Sequence, residues 1–155
     1  MNKPILVTGG TGYIASWVVK YLLDKGFDVH TTVRDKSNKE KVQHLWDLDK
    51  NSEGTLKLFE ADLLEEGSFE EAMKGCGIVI HMASPFVIYG IKNAKKQLIE
   101  PALLGTRNVL ETANKNETVS RVVLTSSVVA IYGDNIEIKQ TQSGIFTEEY
   151  WNRTS

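Results

Sequence analysis

The segment from Val7 to Ala15 constrains the fold most, because a short apolar run leads into closely spaced glycines and then into a helical pattern. Gly9 permits a tight turn, Gly12 lets the main chain approach a ligand closely, and Ala15 lets the helix pack against a sheet. Backbone amides at such a turn face an anion such as a pyrophosphate. The alternative is an ordinary strand-to-helix turn, so the rest of the chain decides between the two.

The rest of the chain alternates Val- and Ile-rich runs with segments of helical periodicity, which is typical of a parallel sheet covered on both faces. Strands are predicted at Pro4 to Thr8, Asp28 to Arg34, Thr55 to Ala61, Gly77 to Met82 and Val119 to Thr125. Helices are predicted at Gly12 to Lys25, Asn38 to Leu48, Ser68 to Lys74 and about Ala94 to Asn114. Right-handed crossovers then predict a doubly wound α/β sheet with the strand order 3-2-1-4-5.

Local signals predict where these helices begin, end and pack. Gly26 is expected to end the first helix, and Ser68 is expected to cap the third. Pro101 lies inside the fourth helix, where it predicts either a kink or a late start. The apolar face of the first helix is predicted to consist of Ile14, Val18, Tyr21, Leu22 and Leu23.

The carboxyl ends of the strands meet at one edge of such a sheet, and this edge is where ligands bind. Every segment with evident chemistry follows a predicted strand at that edge. These segments are Thr8-Gly9-Gly10, Arg34, Asp62, Ala83-Ser84-Pro85 and Thr125-Ser126-Ser127. Because they converge on the glycine turn, the sequence favours dinucleotide binding over an ordinary turn.

Composition excludes several other classes of function. The 155 residues predict one domain, and 18 Lys and Arg against 20 Asp and Glu offer no general attraction for nucleic acid or an anionic membrane. Cys76 is the only cysteine, and the first apolar run is too short for a signal or an anchor, so we expect a cytoplasmic protein. No metal site is predicted. Cys76 and His81 are interpreted as packed residues without chemistry.

The end of the second strand indicates which dinucleotide binds, because this position lies beside the adenosine ribose. Arg34 offers a planar guanidinium that matches a 2′-phosphate, and Lys41 adds a positive charge nearby. The sequence therefore favours NADP(H) over NAD(H). In the alternative, these basic residues form a solvated face, and Asp35 accepts hydrogen bonds from an unphosphorylated ribose.

The glycine segment resembles the Thr-Gly-x-x-Gly-x-x-Ala pattern of extended short-chain dehydrogenases/reductases, which include NAD-dependent epimerases/dehydratases. The strings Thr32-Val33-Arg34-Asp35, Ala61-Asp62-Leu63 and His81-Met82-Ala83-Ser84-Pro85 are similar to dihydroflavonol reductases and related carbonyl reductases. The similarity runs from Pro4 to about Trp151, which is roughly the first half of a usual member. It implies that residues 1–155 form an incomplete NAD(P)-binding Rossmann domain, truncated before the later strands and without a substrate domain.

The resemblance also implies roles for individual residues. Asp62 and the Leu63 backbone would contact the adenine, although Asp62 alternatively caps the following helix. Ser127 would be the catalytic serine that holds a substrate carbonyl. The residues predicted to contact the cofactor are Thr8, Gly9, Gly12, Tyr13, Ile14, Arg34, Lys41, Asp62, Leu63, Ala83, Ser84, Thr125 and Ser126.

Part of the family's catalytic apparatus is missing after the fifth predicted strand. The family pairs its serine with a tyrosine and a lysine four residues apart, on one face of a helix. Tyr132 is followed at that spacing by Ile136, and Tyr150 by Thr154, so neither provides the pair. Residues 101–105 also lack the asparagine of a classical proton relay. Because residues 146–151 resemble the segment before the tyrosine helix, we expect the chain to be a fragment.

Three functional interpretations follow. The first is the NADP(H)-binding part of a reductase of aldehydes, ketones or flavonoid-like carbonyls, with a small carbonyl compound as its partner and incomplete catalysis. The second is a non-catalytic module that senses redox state, which needs neither Ser127 nor a later tyrosine. The third is a fragment of a sugar-nucleotide epimerase or dehydratase, which would more naturally carry an acidic residue in place of Arg34.

A sheet that ends at the fifth strand leaves one edge whose amides and carbonyls have no partner strand. We therefore expect the isolated chain to self-associate through that edge or to be poorly soluble. Light scattering of the purified chain should detect dimers or larger species. A stable monomer in dilute solution would contradict this expectation.

Overall fold

The structure is a computed structural model that describes residues 3–50, 52–85 and 89–153. It divides into two compact units, Met1–Leu124 and Thr125–Ser155. The described part of the second unit contains two short 3-10 helices, Val128–Ala130 and Asn135–Gln140. That residues 1–155 form one incomplete domain stays a prediction.

The first unit contains a five-stranded parallel sheet with the order β3-β2-β1-β4-β5. Its strands are β1 at Ile5–Thr8, β2 at Val29–Val33, β3 at Leu56–Glu60, β4 at Ile78–His81 and β5 at Arg121–Leu124. The predicted doubly wound α/β fold and its strand order are therefore confirmed. Each strand lies within its predicted range and is shorter because its end residues turn into loops.

Alternate residues of β1 enter different cores, since successive side chains of a strand point to opposite faces of the sheet. Ile5 and Val7 pack with Val19, Leu23 and other residues in one core. The residue between them, Leu6, packs in a second core together with Val79 and Val109. Burial on both faces explains why Ile5, Leu6 and Val7 form a continuous apolar run.

The helices lie close to their predicted ranges. They are α1 at Tyr13–Asp24, α2 at Lys39–Lys50, α3 at Glu70–Met73 and α4 at Glu100–Lys115. Gly26 ends the first helix as predicted, since its φ is +76° and its amide donates to the Leu23 carbonyl. Within the described ranges, none of the helices combines the length and the apolar character that a membrane crossing needs.

Two of the predictions about helices are wrong. The buried residues of α1 are Ala15, Val19, Leu22 and Leu23, whereas Ile14 and Tyr21 are 64% and 62% exposed. The stripe that faces the sheet is therefore rotated away from Ile14. Ser68 does not cap α3, because its hydroxyl donates to the Asp62 carbonyl and accepts from the Asp62 amide.

Pro101 marks a late start of α4, which was one of its two predicted effects. Residues Lys95–Ile99 form a π-helical turn, and regular α-helix begins at Glu100. Proline is tolerated in the first turn of an α-helix because its missing N–H has no partner there in any case.

Candidate functional site

A cavity of about 500 Å³ lies at the carboxyl edge of β1, β2, β3 and β4. This is the edge where the sequence predicts ligand binding, and the volume is typical of a small-molecule site. The residues that line it are Gly9, Thr11, Gly12, Thr32, Val33, Arg34, Ala61, Asp62, Leu63, Leu64, Phe69, Met82, Ala83, Ser84, Pro85 and Pro101.

The glycine loop between β1 and α1 is fastened to β2 and folds back on itself. The Gly9 amide donates to Thr32 Oγ1 at 3.1 Å, and the Gly10 amide donates to the Thr32 carbonyl at 2.9 Å. Gly9 has a φ of +73°, and a Cβ at this position would lie 3.0 Å from Ala83 Cα. Both the turn and the close approach of the loop after β4 therefore require glycine.

The first turn of α1 presents backbone amides at this edge. Gly12 is the N-cap residue and provides no side-chain hydrogen bond, and the first turn contains no acidic residue. The Ser16 amide donates to the Gly12 carbonyl, so the amides of Tyr13, Ile14 and Ala15 precede the first intrahelical bond. Such amides, with the positive end of the helix dipole, favour an anion.

Gly10 is a structural requirement that the sequence analysis missed. A Cβ at Gly10 would lie 2.2 Å from Thr31 Oγ1, a hydroxyl that donates to the Val7 carbonyl at 2.8 Å. The glycine spacing alone does not indicate this contact, because it depends on the side chain at one position of the neighbouring strand.

Arg34 and Asp35 lie next to each other at the end of β2 but have different surroundings. Arg34 is exposed and lines the cavity. Asp35 Oδ1 accepts from Ser37 Oγ at 2.6 Å and from the Ser37 amide at 2.8 Å. These bonds, with smaller effects that include the charge of Lys41, lower the pKa of Asp35. Asp35 is thus engaged at the start of α2 rather than in the cavity.

The loop after β3 is held by its own residues and by α4. Asp62 Oδ1 accepts from the Leu64 amide at 2.8 Å, so Asp62 stabilises a turn and not the start of α3. Asn108 Nδ2 on α4 donates to the carbonyls of Leu63 at 3.2 Å and Glu65 at 2.8 Å. Nothing in the sequence pattern indicated this contact, because it joins residues far apart in the chain.

A close approach between this loop and α4 adds to these bonds. A Cβ at Gly105 would lie 2.8 Å from Leu63 Cβ, so the helix contacts the loop directly through a residue without a side chain. Two features of α4, the Asn108 amide and the Gly105 surface, therefore position the loop after β3.

The loop after β4 is held by a buried pair on β1 and β4. Thr8 Oγ1 lies 2.7 Å from His81 Nδ1 and accepts from the amides of Met82 and Ala83, each at 3.0 Å. Thr8 is fully buried and His81 is 2% exposed, which confirms the prediction of a hydrogen-bonded histidine near the end of a core strand. Burial lowers the pKa of His81.

Cys76 is also buried, in the turn that leads into β4. Its Sγ lies 3.3 Å from His30 Nδ1 and 3.4 Å from the Ala72 carbonyl, and burial raises its pKa to about 11. A thiol with such a pKa is not a nucleophile near neutral pH. In the described residues, no group of three or more His, Cys, Asp or Glu side chains is arranged to hold a metal ion.

The predicted site residues fall into three groups. Those that line the cavity together are Gly9, Gly12, Arg34, Asp62, Leu63, Ala83 and Ser84. Thr8 lies beneath the loop, and Tyr13, Ile14 and Lys41 are exposed without lining the cavity. The third group, Thr125, Ser126 and Ser127, belongs to the second unit. The predicted contacts of all three groups with a cofactor or a substrate stay predictions.

The second unit has features of its own. Ser127 is the third residue after β5, and its Oγ accepts a hydrogen bond from the Val129 amide at 3.4 Å. Tyr132 stacks on Phe146 with a distance of 4.3 Å between ring centroids. A cavity of about 280 Å³, with Phe146 and Tyr150 among its lining residues, lies within this unit.

The tyrosine–lysine spacing of the family occurs once in the whole sequence, at Tyr21 and Lys25. Lys25 Nζ lies 5.7 Å from the centre of the Tyr21 ring, at the end of α1. Since α1 begins at the carboxyl edge of the sheet, this end lies toward the opposite edge. The pair is therefore not part of the candidate site.

Replacing Gly10 with Ala should destabilise the first unit by about 1 to 3 kcal/mol, because the new Cβ overlaps Thr31 Oγ1. Urea denaturation measures this loss. Thr31→Ala removes the overlapping hydroxyl, so the double variant should lose less stability than the two single losses added together. Additive losses would contradict the predicted contact.

The chain matches one protein family and several reductases in sequence. A sequence profile described as the NAD dependent epimerase/dehydratase family matches residues 5–153. A cinnamoyl-CoA reductase from Medicago truncatula is 50% identical over 131 residues, which are 84% of this chain and 40% of that protein. A dihydroflavonol 4-reductase from Solanum lycopersicum is 39% identical over 148 residues, which are 96% of this chain and 37% of that protein.

The fold is also similar to that of reductases of known structure. A yeast methylglyoxal/isovaleraldehyde reductase in complex with NADPH superposes with a TM-score of 0.76 at 28% identity. The superposition covers 98% of this chain and 44% of that protein. This chain therefore spans less than half of the length of the relatives and structures that it matches.

Proposed function

The chain belongs to the NAD-dependent epimerase/dehydratase family, and we propose that it is the NADP(H)-binding part of a carbonyl reductase. The observation that carries the proposal is that Gly9, Gly12, Arg34 and Asp62 line the same cavity. The reductases among its relatives, and the NADPH bound to one structural neighbour, support the same assignment.

The chemistry of the lining residues fits a phosphorylated dinucleotide. The uncapped first turn of α1 would bind the pyrophosphate through backbone amides. Arg34 would bind the 2′-phosphate in a bidentate manner, and Asp62 would accept a hydrogen bond from the adenine amino group. The engagement of Asp35 with Ser37 supports NADP(H) over NAD(H), since a ribose without phosphate needs an acidic partner.

The remaining chemistry concerns the substrate. When bound, the nicotinamide supplies a hydride to the carbonyl carbon of an aldehyde or ketone. We assign to Ser127 the role of holding the carbonyl oxygen through its hydroxyl, on the basis of its place in the chain three residues beyond β5. In classical reductases of this type, a tyrosine donates the proton and a lysine lies four residues after it. No such pair follows β5 in this sequence.

We expect the unaltered chain to bind NADPH more tightly than NADH. The Arg34→Ala substitution should reduce this difference in affinity. Loss of a charge-assisted contact with the 2′-phosphate should cost about 1.5 to 3 kcal/mol of NADPH binding and leave NADH binding almost unchanged. Calorimetric titration with both nucleotides measures this difference. Equal affinities of the unaltered chain for the two nucleotides would contradict the proposal.

Lys36→Ala is the matched control for this measurement. Lys36 lies two residues beyond Arg34, is exposed and does not line the cavity. If binding depends on a specific contact at Arg34, the control should retain its preference for NADPH. If the basic residues act only as a solvated face, both variants should lose the same modest amount.

The 155-residue chain should bind NADPH without reducing carbonyl compounds at an enzymatic rate. General acid catalysis accelerates such reactions about a hundredfold to ten-thousandfold. The family's tyrosine and lysine, which provide the proton, do not occur at their four-residue spacing after β5 in this sequence. The assay follows NADPH absorbance with a panel of aldehydes and diketones, and the yeast methylglyoxal/isovaleraldehyde reductase serves as the positive control. Robust turnover would show that another residue of this chain donates the proton. The Tyr132→Phe and Tyr150→Phe variants would then test the two tyrosines that follow β5.

A further inference from the structure

The hydroxyl of Thr8 uses its full hydrogen-bonding capacity, and this fixes the position of a proton on His81. A threonine hydroxyl has one hydrogen to donate and two lone pairs that accept. Both lone pairs of Thr8 are occupied by the amides of Met82 and Ala83. The remaining hydrogen must therefore be donated to His81 Nδ1 at 2.7 Å. Nδ1 is the acceptor, so the ring proton lies on Nε2.

We propose that His81 is a positioning residue of the cofactor site, and that its neutral form with hydrogen on Nε2 holds the segment after β4 in place. His81 acts through Thr8 and does not line the cavity itself. The proposal rests on the proposed binding of NADP(H) at this edge.

The segment that Thr8 holds is part of the cavity wall. Ala83 and Ser84 line the cavity, and Ala83 Cα lies close enough to Gly9 to exclude a side chain there. A displacement of Ala83 would therefore disturb two sides of the site, its own segment and the glycine loop. The Ala83 amide donates to the Thr8 hydroxyl, which holds it in place.

Protonation of Nδ1 is incompatible with this arrangement. A cationic His81 would bring a ring N–H toward the Thr8 hydroxyl, which has no lone pair left to accept it. Thr8 would have to give up the amide of Met82 or of Ala83, and the segment after β4 would lose one of its anchors. The neutral ring is thus required for the observed hydrogen bonds.

The surroundings of His81 favour the neutral ring. Burial lowers its pKa, and no charged side chain in the described residues contributes to that shift. β1 presents the uncharged Thr8, and β5 pairs Leu124 with His81. The residues that α4 buries toward the sheet are all uncharged, namely Gly105, Val109, Thr112 and Ala113.

The direction of the pH effect follows from proton counting. Below the ordinary histidine pKa of about 6.5, the unfolded chain takes up a proton that folded His81 resists. Stability therefore falls as the pH decreases below that value, down to the lowered pKa of the folded state. Cofactor binding to the folded chain should weaken only at lower pH, as the pH falls through the lowered pKa of folded His81, because binding requires the segment that the neutral ring holds.

The first test reads the tautomer directly. The sequence contains three histidines, and His30→Gln and His44→Gln variants assign the imidazole signals in long-range proton–nitrogen NMR spectra of the full chain. At pH 7.5 the spectrum of His81 should show hydrogen on Nε2 and none on Nδ1. Hydrogen on Nδ1 would overturn the proposal. This measurement needs no nucleotide, so it is independent of the proposed function.

The second test separates titration from structure. In His81→Asn the side-chain amide oxygen can accept the Thr8 hydrogen near the Nδ1 position, but it does not titrate. As the pH is lowered from 7.5 until the NMR spectra show that folded His81 has taken up a proton, the affinity of the unaltered chain for NADP+ should fall roughly threefold to tenfold more than that of the variant, the factor of about one hydrogen bond. The 2′-phosphate titrates near pH 6 in both cases, so the difference isolates His81.

Two further outcomes complete the test. His81→Leu removes the acceptor and should weaken NADP+ binding at both pH values, whereas equal pH dependence of the unaltered chain and His81→Asn would overturn the proposal. If the unaltered chain does not bind NADP+ at all, the proposed function fails. The tautomer and the pH dependence of the urea midpoint, compared with His81→Asn, then still decide the role of His81 in holding the segment.

Discussion

The burial of β1 between β2 and β4 is the constraint on which the site depends. All four residues of β1 are buried, so the chain that leaves the strand is enclosed by a neighbour on each side. On the β2 side Thr31 comes close to Gly10, and on the β4 side Ala83 comes close to Gly9. The glycines are therefore required by packing as well as by the turn, and the same packing brings three loops to one cavity.

Much of the fold was predictable because buried parallel strands are recognisable as continuous apolar runs and the crossover rule restricts their order. The errors lie where a pattern has two physical explanations. The apolar positions of α1 define a stripe but not its centre, which is why Ile14 and Tyr21 were placed on the buried face. Ser68 is a residue type that caps helices, but the Asp62 backbone offered it closer partners.

The convergence of residues on one cavity was predictable where a residue type is tied to a position in the fold, as for Gly12 at the start of α1 and Arg34 at the end of β2. Long-range contacts were not, because Asn108 and the Leu63 carbonyl are 45 residues apart and neither has a distinctive sequence context. Ser127 stays a prediction for a different reason: its role depends on a catalytic tyrosine that the sequence after β5 does not identify.

With NADP(H) as the proposed cofactor, the engagement of Asp35 links the choice of nucleotide to the stability of a helix. The amides and hydroxyl that Asp35 accepts from come from Ser37 and Asn38, at the entrance to α2. An evolutionary or engineered change toward an unphosphorylated ribose would need this carboxylate in the cavity, and α2 would then begin without its acceptor. Exchange of Arg34 alone would therefore narrow a preference for NADP(H), whereas a preference for NAD(H) would also need a compensating substitution near Asn38.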